Sequence, residues 1–428
     1  MGPGGPRPSP GRRSLLAALD VGALISQSRS RVVAALAARF RDLDLAEDAF
    51  SDAATTALAV WPADPPRDPA AWLWRAALRR GLDATRRART RATALHDPPP
   101  PEPTPEDLAM LADEPIPDER LRLIFVCCHP ALAPEARAAL TLKVVCGLST
   151  PRLARAFLVG EPAMLQRITR AKAKIAAAGV PFEVPTRAAW PERLGAVLAT
   201  LEIAYAQAYE DAALAGDGAG FGVEVLRLSG LLAELLPDDP EVLALAALVR
   251  FAEARRPARL DDGGAMVPLD EQDVTQWNAR LVAEGARLLD RAAGEKSTGP
   301  YRIMAAIHGA HLSRRESGST PWATIAALYD ALILLRPGPV TAVNRAVAVG
   351  MAMGPEAGLA ALADIRSDRD LEGWLPWQAA RAGLCALAGR AAEALAAWDT
   401  ALSLGPAPAE RLYLARRRDA VSAAVRAG

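Results

Sequence analysis

Residues 147–175 have the sequence GLSTPRLARAFLVGEPAMLQRITRAKAKI, and this stretch decides the fold of the first half of the chain. Gly147 is typical of a helix end, and Ser149 is a favoured N-cap for a following helix. After a short turn, Pro162 stands where a first-turn proline is tolerated. Apolar residues at spacings of 4, 3 and 4 then predict the buried face of a second helix. That face comprises Met164, Ile168, Ala171 and Ile175. The pattern predicts a helix-turn-helix, which places its second helix in the DNA major groove.

The composition of the 428-residue chain favours an all-helical protein with several domains. Hydrophobic residues make up 51% of the chain, which is enough for sizeable cores, but aromatic residues only 5%. No sustained alternation of Val, Ile and Thr predicts strands, and the length exceeds that of one ordinary domain. We therefore predict an all-α fold. Two small helical domains, the second containing the helix-turn-helix, precede a C-terminal helical-repeat domain.

The formal net charge of zero is divided unevenly along the chain. Residues 1–180 contain 25 Lys and Arg against 19 Asp and Glu, whereas the remainder contains 25 against 31. Two segments carry much of the positive charge, 72–91 and 143–174, each with seven cations against a single acid. For the first segment, a solvated helix face and phosphate contact stay equally open. For the second, the charge on a helix-turn-helix favours DNA binding.

Proline, glycine and charge mark the domain boundaries. Residues 1–13 are rich in Gly, Pro and Arg and lack the apolar region of a signal peptide, so we predict a disordered lead. Residues 97–117 are rich in proline and acids, as in an extended linker. Helical domains are therefore expected at 14–96, 118–185 and 186–428. No apolar run reaches the ~20 residues of a membrane span, so we expect a cytoplasmic protein with no membrane partner.

The C-terminal part contains a recurring helix pair. Residues 376–408 fit the tetratricopeptide (TPR) pattern, with Gly389 at the turn and Trp398 in the second helix. Residues 322–337 match the second half of such a unit, which predicts a TPR-like solenoid. Residues 257–278 interrupt the helices, and we predict a surface loop or a short hairpin there.

Neither catalysis nor metal binding is indicated. The four cysteines form no CxxC pair, and the adjacent Cys127 and Cys128 point to different helix faces. His308 and His311 share a helix face, but no carboxylate is placed to complete a metal site with them. Nucleophile-elbow, P-loop and HExxH motifs are missing from the sequence. We therefore predict a protein that is not an enzyme and has no metal or cofactor.

Taken together, these segments resemble bacterial RNA polymerase sigma factors of the extracytoplasmic function (ECF) type, in the subgroup with a TPR-like C-terminal extension. Three stretches carry the resemblance. DLAEDAFSDAATTALAVWP with DPAAWLWRAALRRGLDATRRAR is similar to sigma region 2, and residues 118–185 are similar to region 4 almost throughout. ALYDALILLRPGPVTAVNRAVAV resembles the extension. The resemblance implies core RNA polymerase and promoter DNA as partners, and a protein or ligand partner for the C-terminal domain.

The resemblance also implies roles for individual residues. In such factors, region 2 docks on the β′ coiled coil and opens the −10 element, while region 4 binds the −35 element and touches the β flap. Polymerase docking would involve Asp48, Ser51, Asp52 and Thr55. Contacts to the −10 element would come from Trp72, Trp74, Arg75, Arg79, Arg80, Arg86 and Arg87. Base edges of the −35 element would meet Leu165, Gln166, Arg167 and Arg170. Its phosphates would meet Lys172, Lys174, Arg152 and Arg155.

Two features of the docking helix bear on this assignment. We expect Asp44 to cap this helix, which runs to Trp61. The family usually has Gln-Glu and then Phe where this chain has Ser51, Asp52 and Ala54.

Three hypotheses about function therefore stand. In the first, the chain is a sigma factor whose C-terminal domain regulates it or binds a partner. In the second, it is a DNA-binding transcriptional regulator that has lost polymerase docking. In the third, it is a TPR-like scaffold.

Overall fold

The computed structural model describes residues 21–93, 119–157, 159–180, 182–186, 188–214, 219–293, 299–365 and 371–427. Within these ranges the chain is helical, and the one β-bridge pairs Leu260 with Met266. The all-α prediction is therefore confirmed. The predicted lead at 1–13 and the predicted linker at 97–117 lie outside the described residues. The chain divides into two compact units, Met1–Ala204 and Tyr205–Gly428.

The first unit contains two groups of helices. Its described helices are α1 (Val21–Phe40), α2 (Leu43–Val60), α3 (Pro69–Thr93), α4 (Arg120–Cys127), α5 (Pro134–Val144), α6 (Thr150–Ala156), α7 (Glu161–Ala177) and α8 (Trp190–Leu214), within which the unit boundary falls. Helices α1, α2 and α3 pack against one another, and α4 to α7 form a second group that touches α1 through α4. Both groups have fully buried large side chains, for example Leu36 and Trp61 in the first and Phe125 in the second.

Helix α2 begins two residues earlier than a cap at Asp44 would place it, because Asp42 caps it. The Asp42 carboxylate accepts hydrogen bonds from the backbone N–H groups of Asp44 (2.9 Å) and Leu45 (3.0 Å). The prediction that Asp44 is the cap is therefore wrong. Asp42 has the extended backbone of an N-cap, whereas Asp44 already lies in the first helical turn. As a result, the side chain of Asp44 is available for a contact outside its own helix.

The second unit is a succession of packed helices. They are α9 (Ala219–Leu235), α10 (Pro240–Ala254), α11 (Ala279–Ala292), α12 (Pro300–Leu312), α13 (Arg314–Ser317), α14 (Trp322–Leu335), α15 (Pro339–Met353), α16 (Pro355–Ala363), α17 (Leu375–Leu387), α18 (Ala391–Ser403) and α19 (Pro408–Ala427). The helix pair predicted at 376–408 is present as α17 and α18, and Gly389 forms the turn with a φ of 74°. Trp398 lies at the centre of an apolar cluster between α17, α18 and α19.

Small residues bring α15 and α16 unusually close together. A Cβ atom on Gly358 would lie 2.7 Å from the Cα of Gly350 and 3.0 Å from the carbonyl oxygen of Ala346. The side chain of Leu384 from α17 covers the same point. Glycine at 358 is therefore required by the approach of two backbones, not by a turn.

The segment from 256 to 278, here named the 256–278 strap, connects distant helices of the second unit. The bridge between Leu260 and Met266 closes a tight turn, so the hairpin alternative is the one observed. The backbone N–H of Met266 donates to the carbonyl oxygen of Ala409 (3.0 Å), at the start of α19. From the other side, Arg314 donates to three strap carbonyl oxygens, including that of Gln272 (2.6 Å).

Candidate nucleic-acid interface

Helices α5, α6 and α7 form the helix-turn-helix predicted from the sequence. Gly147 lies between α5 and α6 with a φ of 77°, a conformation that side chains with a Cβ rarely adopt. A Cβ there would also overlap the side chain of Arg29 from α1. Pro162 stands in the first turn of α7. The buried residues of α7 are the four predicted, Met164, Ile168, Ala171 and Ile175. The structure thus confirms both the motif and the face by which its second helix packs.

The opposite side of α7 is open to solvent. Leu165 is 57% exposed, and Gln166 and Arg170 beside it are exposed as well. Arg167 is half-buried, and its guanidinium lies 5.9 Å from the centre of the Phe157 ring. A leucine, an amide and a guanidinium on one face can contact a thymine methyl, an adenine and a guanine.

The residues predicted to contact phosphates have different surroundings. Lys174 is exposed at the last turn of α7, and Arg152 is half-buried on α6. The side chain of Arg155 lies outside what the structure describes. Lys172 is turned towards α2, where its ammonium lies 2.5 Å from the Asp44 carboxylate and 2.8 Å from that of Glu47. Lys172 can therefore reach DNA only if these two ion pairs break.

The carboxylate of Glu47 is shared between two cations. Besides Lys172, it accepts a hydrogen bond of 2.8 Å from the guanidinium of Arg29 on α1. The side chains of Arg29, Glu47 and Lys172 are only 15%, 9% and 14% exposed, whereas that of Asp44 is 70% exposed. Three charges with little access to water thus meet at one point between α1, α2 and α7. Arg29 also lies over the ring of Phe50, 5.2 Å from its centre.

Burial and charge act against each other on these cations. Burial alone would lower the pKa of Lys172, but the charge of Glu47 and hydrogen bonds to both carboxylates raise it above its ordinary value. For Arg29, burial dominates and lowers the pKa, against the opposing effect of Glu47. Burial also lowers the pKa of nearby Lys143, and the positive charges of Arg29 and Lys172 add to that effect. The carboxylates therefore hold Lys172 in its charged form within a crowded positive cluster.

The residues predicted to dock on polymerase form one exposed stripe along α2. Asp48, Ser51, Asp52 and Thr55 are all exposed and follow the 3–4 spacing of a single helix face. The hydroxyl of Ser51 donates to the carbonyl oxygen of Glu47 (2.8 Å), and that of Thr55 donates to the carbonyl oxygen of Ser51 (2.9 Å). The stripe therefore offers carboxylates to a partner, because its hydroxyl protons are already used. Leu58, which the sequence reasoning missed, continues the stripe and is exposed.

The residues predicted for the −10 element divide between surface and core. The side chains of five arginines on α3 are exposed: Arg75, Arg79, Arg80, Arg86 and Arg87. Trp74 is buried, so this tryptophan packs in the core and does not offer a ring to a base. Trp72 is half-buried. Its ring contacts that of Trp61 edge to face, with 5.5 Å between the ring centres. The exposed part of this site is thus mainly cationic.

The two histidines of α12 take part in packing of the second unit. Nδ1 of His308 lies 3.1 Å from the guanidinium of Arg255, and the ring of His311 contacts Trp322 edge to face. Burial lowers the pKa of His311 to about 4 and that of His308 well below its usual range. Among the described residues, no three His, Cys, Asp or Glu side chains come together as metal ligands would. In the same ranges, no helix is long and apolar enough to cross a membrane.

Comparison with known proteins gives three matches. Residues 122–175, from α4 to the end of α7, match the family described as Sigma-70, region 4. Residues 193–293 match a family of unknown function, DUF6596. An uncharacterized protein of Rhizobium meliloti (strain 1021) is 42% identical over 411 residues, which cover 94% of this chain and 95% of that protein. No solved structure matches the chain.

These matches agree with the geometry of the helix-turn-helix. The region 4 match covers the helix with the exposed Leu165, Gln166 and Arg170, and the R. meliloti protein spans both units. The sigma-70 family consists of transcription factors without enzymatic activity. The chain therefore belongs to one family with the R. meliloti protein, and its region 4 domain makes it a sigma-70 family member with a sigma-factor-like role in transcription.

Proposed function

We propose that the chain is an ECF-type sigma factor. It directs core RNA polymerase in the cytoplasm to specific promoters, and its TPR-like second unit regulates this activity or binds a partner. The observation that carries the proposal is the exposed face of α7 within a region 4 domain. Leu165 is more than half exposed although α7 has a well-defined apolar face elsewhere. Together with the exposed Gln166 and Arg170 it forms a face that can contact base edges in the major groove.

The −35 contacts follow from the surroundings of each side chain. Leu165, Gln166 and Arg170 would contact base edges, with Arg167 reaching the groove from the side of Phe157. Lys174 and Arg152 would hold phosphates of the −35 element. Lys172, once released from α2, and Arg155 would do the same. Sequence discrimination then rests on a few side chains, each contributing about 1–3 kcal/mol.

The −10 element and polymerase would be bound by α2 and α3. The exposed arginines of α3 would hold phosphates, and Trp72 would limit the pocket for an unstacked base. The α2 stripe, with Asp48 and Asp52 as its charged members, would face the β′ coiled coil. Region 4 would touch the β flap.

Run-off transcription tests the proposal. Purified protein and core polymerase are supplied with promoter fragments selected from random DNA, and promoter-dependent product is measured. We expect Gln166→Ala and Arg170→Ala to lower this product about 5- to 150-fold each, which corresponds to 1–3 kcal/mol. Arg315→Ala, an exposed arginine on the second unit, is the matched control and should leave it unchanged. Promoter binding without any polymerase-dependent product would instead identify a DNA-binding regulator.

A further inference from the structure

We propose that Asp44, Glu47 and Lys172 form a latch that keeps the chain in a closed state, and that the latch must open before polymerase and promoter are bound together. The inference rests on the proposed function, because it concerns the two segments assigned to the −10 and −35 elements. The latch adds a means of regulation to the sigma-factor function proposed above.

The latch joins parts of the chain that are far apart in sequence. Lys172 lies 128 residues after Asp44, on the helix whose exposed face carries Leu165. Asp44 and Glu47 lie on α2, one turn before the predicted docking stripe. Gly147, at the turn before α6, packs against Arg29, which binds Glu47. The helix-turn-helix is thus held to α1 and α2 at two points, in addition to the packing of α4 against α1.

This contact is incompatible with simultaneous binding of both promoter elements. The −10 and −35 elements are about 25 base pairs apart by definition, or roughly 85 Å along B-DNA. A helical module of about 70 residues has a diameter of about 30 Å, so two modules in contact have centres about 30 Å apart. The ion pairs of 2.5 and 2.8 Å between α2 and α7 cannot persist while each module occupies its own element.

The closed state leaves the separate binding faces uncovered. Leu165, Gln166 and Arg170 are exposed, and so are Asp48 and Asp52. The latch therefore limits the distance between the α1–α3 group and the α4–α7 group, but it does not cover the binding face of either group. It also competes directly with DNA, because Lys172 cannot hold a phosphate while it is bound by two carboxylates. A promoter phosphate that takes over Lys172 would itself favour the open state.

Zero-length cross-linking of the full-length chain tests the latch. A water-soluble carbodiimide joins a lysine amine to a carboxylate as an amide, and the lost carboxylate oxygen leaves in the urea by-product. In the free chain we expect amides from Lys172 to Glu47 or Asp44, detected as linked peptides by mass spectrometry. Lys172→Arg keeps the charge but has no reactive amine, so it is the control that should lose these products. Lys174, two residues further along α7, should not form them.

The same reaction is then run on the complex with core polymerase and promoter DNA, isolated by gel filtration. We expect the linked product to fall at least five-fold. An unchanged yield in an isolated complex overturns the latch, as does the lack of linked product in the free chain. If no complex forms, the proposed function fails, and the ion pairs are then an ordinary structural contact.

Neutral variants give an independent measurement. Asp44→Asn removes one exposed carboxylate of the latch without touching the α2 cap, and should tighten polymerase-dependent promoter binding about 2- to 5-fold. Glu47→Gln should have a larger effect if the circular dichroism spectrum shows that it folds. Asp330→Asn, which removes a carboxylate from an exposed pair with Arg345, is the matched control. Equal promoter affinity for Asp44→Asn and the control would contradict the latch.

Discussion

Charged side chains join α2 to α7 in the first unit, whereas small and apolar side chains join α15 to α16 and α17 to α19 in the second. Lys172 meets two carboxylates between α2 and α7, while α15 and α16 meet at Gly350 and Gly358 and α17 to α19 meet around Trp398. Separated charges regain water or find a phosphate, which reverses the desolvation that their contact required, so this contact is cheap to open. Separated apolar surfaces lose roughly 25 cal/mol for each Å² exposed. The contact between α2 and α7 is therefore cheaper to open than the packing at Gly358 or around Trp398.

The largest effect is expected for the apolar cluster around Trp398 in the second unit. Trp398→Ala removes a fully buried ring from the cluster of α17, α18 and α19, and should lower the free energy of unfolding by about 3–5 kcal/mol. Urea unfolding of the full chain, followed by circular dichroism, measures this. Leu387→Ala, at an exposed position on α17, should cost less than about 0.5 kcal/mol. Similar midpoints for the two variants would show that the cluster does not hold these helices together.

Adding one methyl group at Gly358 tests how closely α15 and α16 pack in the second unit. Gly358→Ala would press a Cβ against the backbone of α15, and should cost about 1–3 kcal/mol. Gly383→Ala is the matched control, because no atom lies within 4 Å of its added Cβ in the middle of α17. That control should stabilise the chain by about 0.5–1 kcal/mol, since alanine favours a helix. Effects of the same sign at both positions would contradict the close backbone approach.

Part of the pH dependence of stability should come from a buried histidine of the second unit. Burial lowers the pKa of His311 from 6.5 to about 4, so the unfolded chain binds a proton between these values and the folded chain does not. Stability is complete above pH 6.5 and falls as the pH decreases, by roughly 1–2 kcal/mol for this histidine at pH 5. Unfolding midpoints at pH 7.5 and pH 5 measure the loss. In His311→Gln the loss should be smaller, and an unchanged difference would exclude His311 as its source.

The smallest effect concerns an exposed ion pair, which serves as a reference for the latch. Arg390 holds Glu356 through two hydrogen bonds of 3.0 and 2.6 Å, but both side chains are exposed. Glu356→Gln should cost about 0.2–1 kcal/mol in 0.1 M salt and nothing measurable in 1 M salt. Urea unfolding at the two salt concentrations checks this. A loss of 2 kcal/mol or more would mean that exposed pairs hold the second unit as well.

Local sequence patterns were sufficient to predict the helix-turn-helix. The four buried residues of α7 and the left-handed Gly147 follow from spacing and glycine chemistry, which act within a few residues. The partners of Lys172 could not be predicted, because an ion pair across 128 residues leaves no periodic signal. One signal was present at Glu47, an acid in line with the buried Ala46, Phe50 and Ala53 of α2. A charge on a buried face needs a partner, but the sequence does not say which cation supplies it.

Residue type alone does not predict the burial of Trp72 and Trp74 or the position of the α2 cap. Trp72 and Trp74 both lie in a basic helix and are equivalent by composition, yet one is half-buried and the other is in the core. Asp42 and Asp44 are equally good caps by residue type, and the position of the helix start decides between them. Such choices depend on the packing of neighbouring helices, which is set by the whole unit.

The 256–278 strap gives the second unit a property that stacked helix pairs ordinarily lack. In a linear array each repeat contacts only its neighbours, so the ends can fray while the middle stays folded. Here the strap follows α10 yet is bonded to α19, where Met266 meets Ala409 at the start of the helix and Glu271 meets Arg417 near its middle. The last helix is thereby tied back to the region after α10. Its unfolding from α10 to α19 should therefore be a single all-or-none transition, and removal of α19 would weaken the strap and the helices that it contacts.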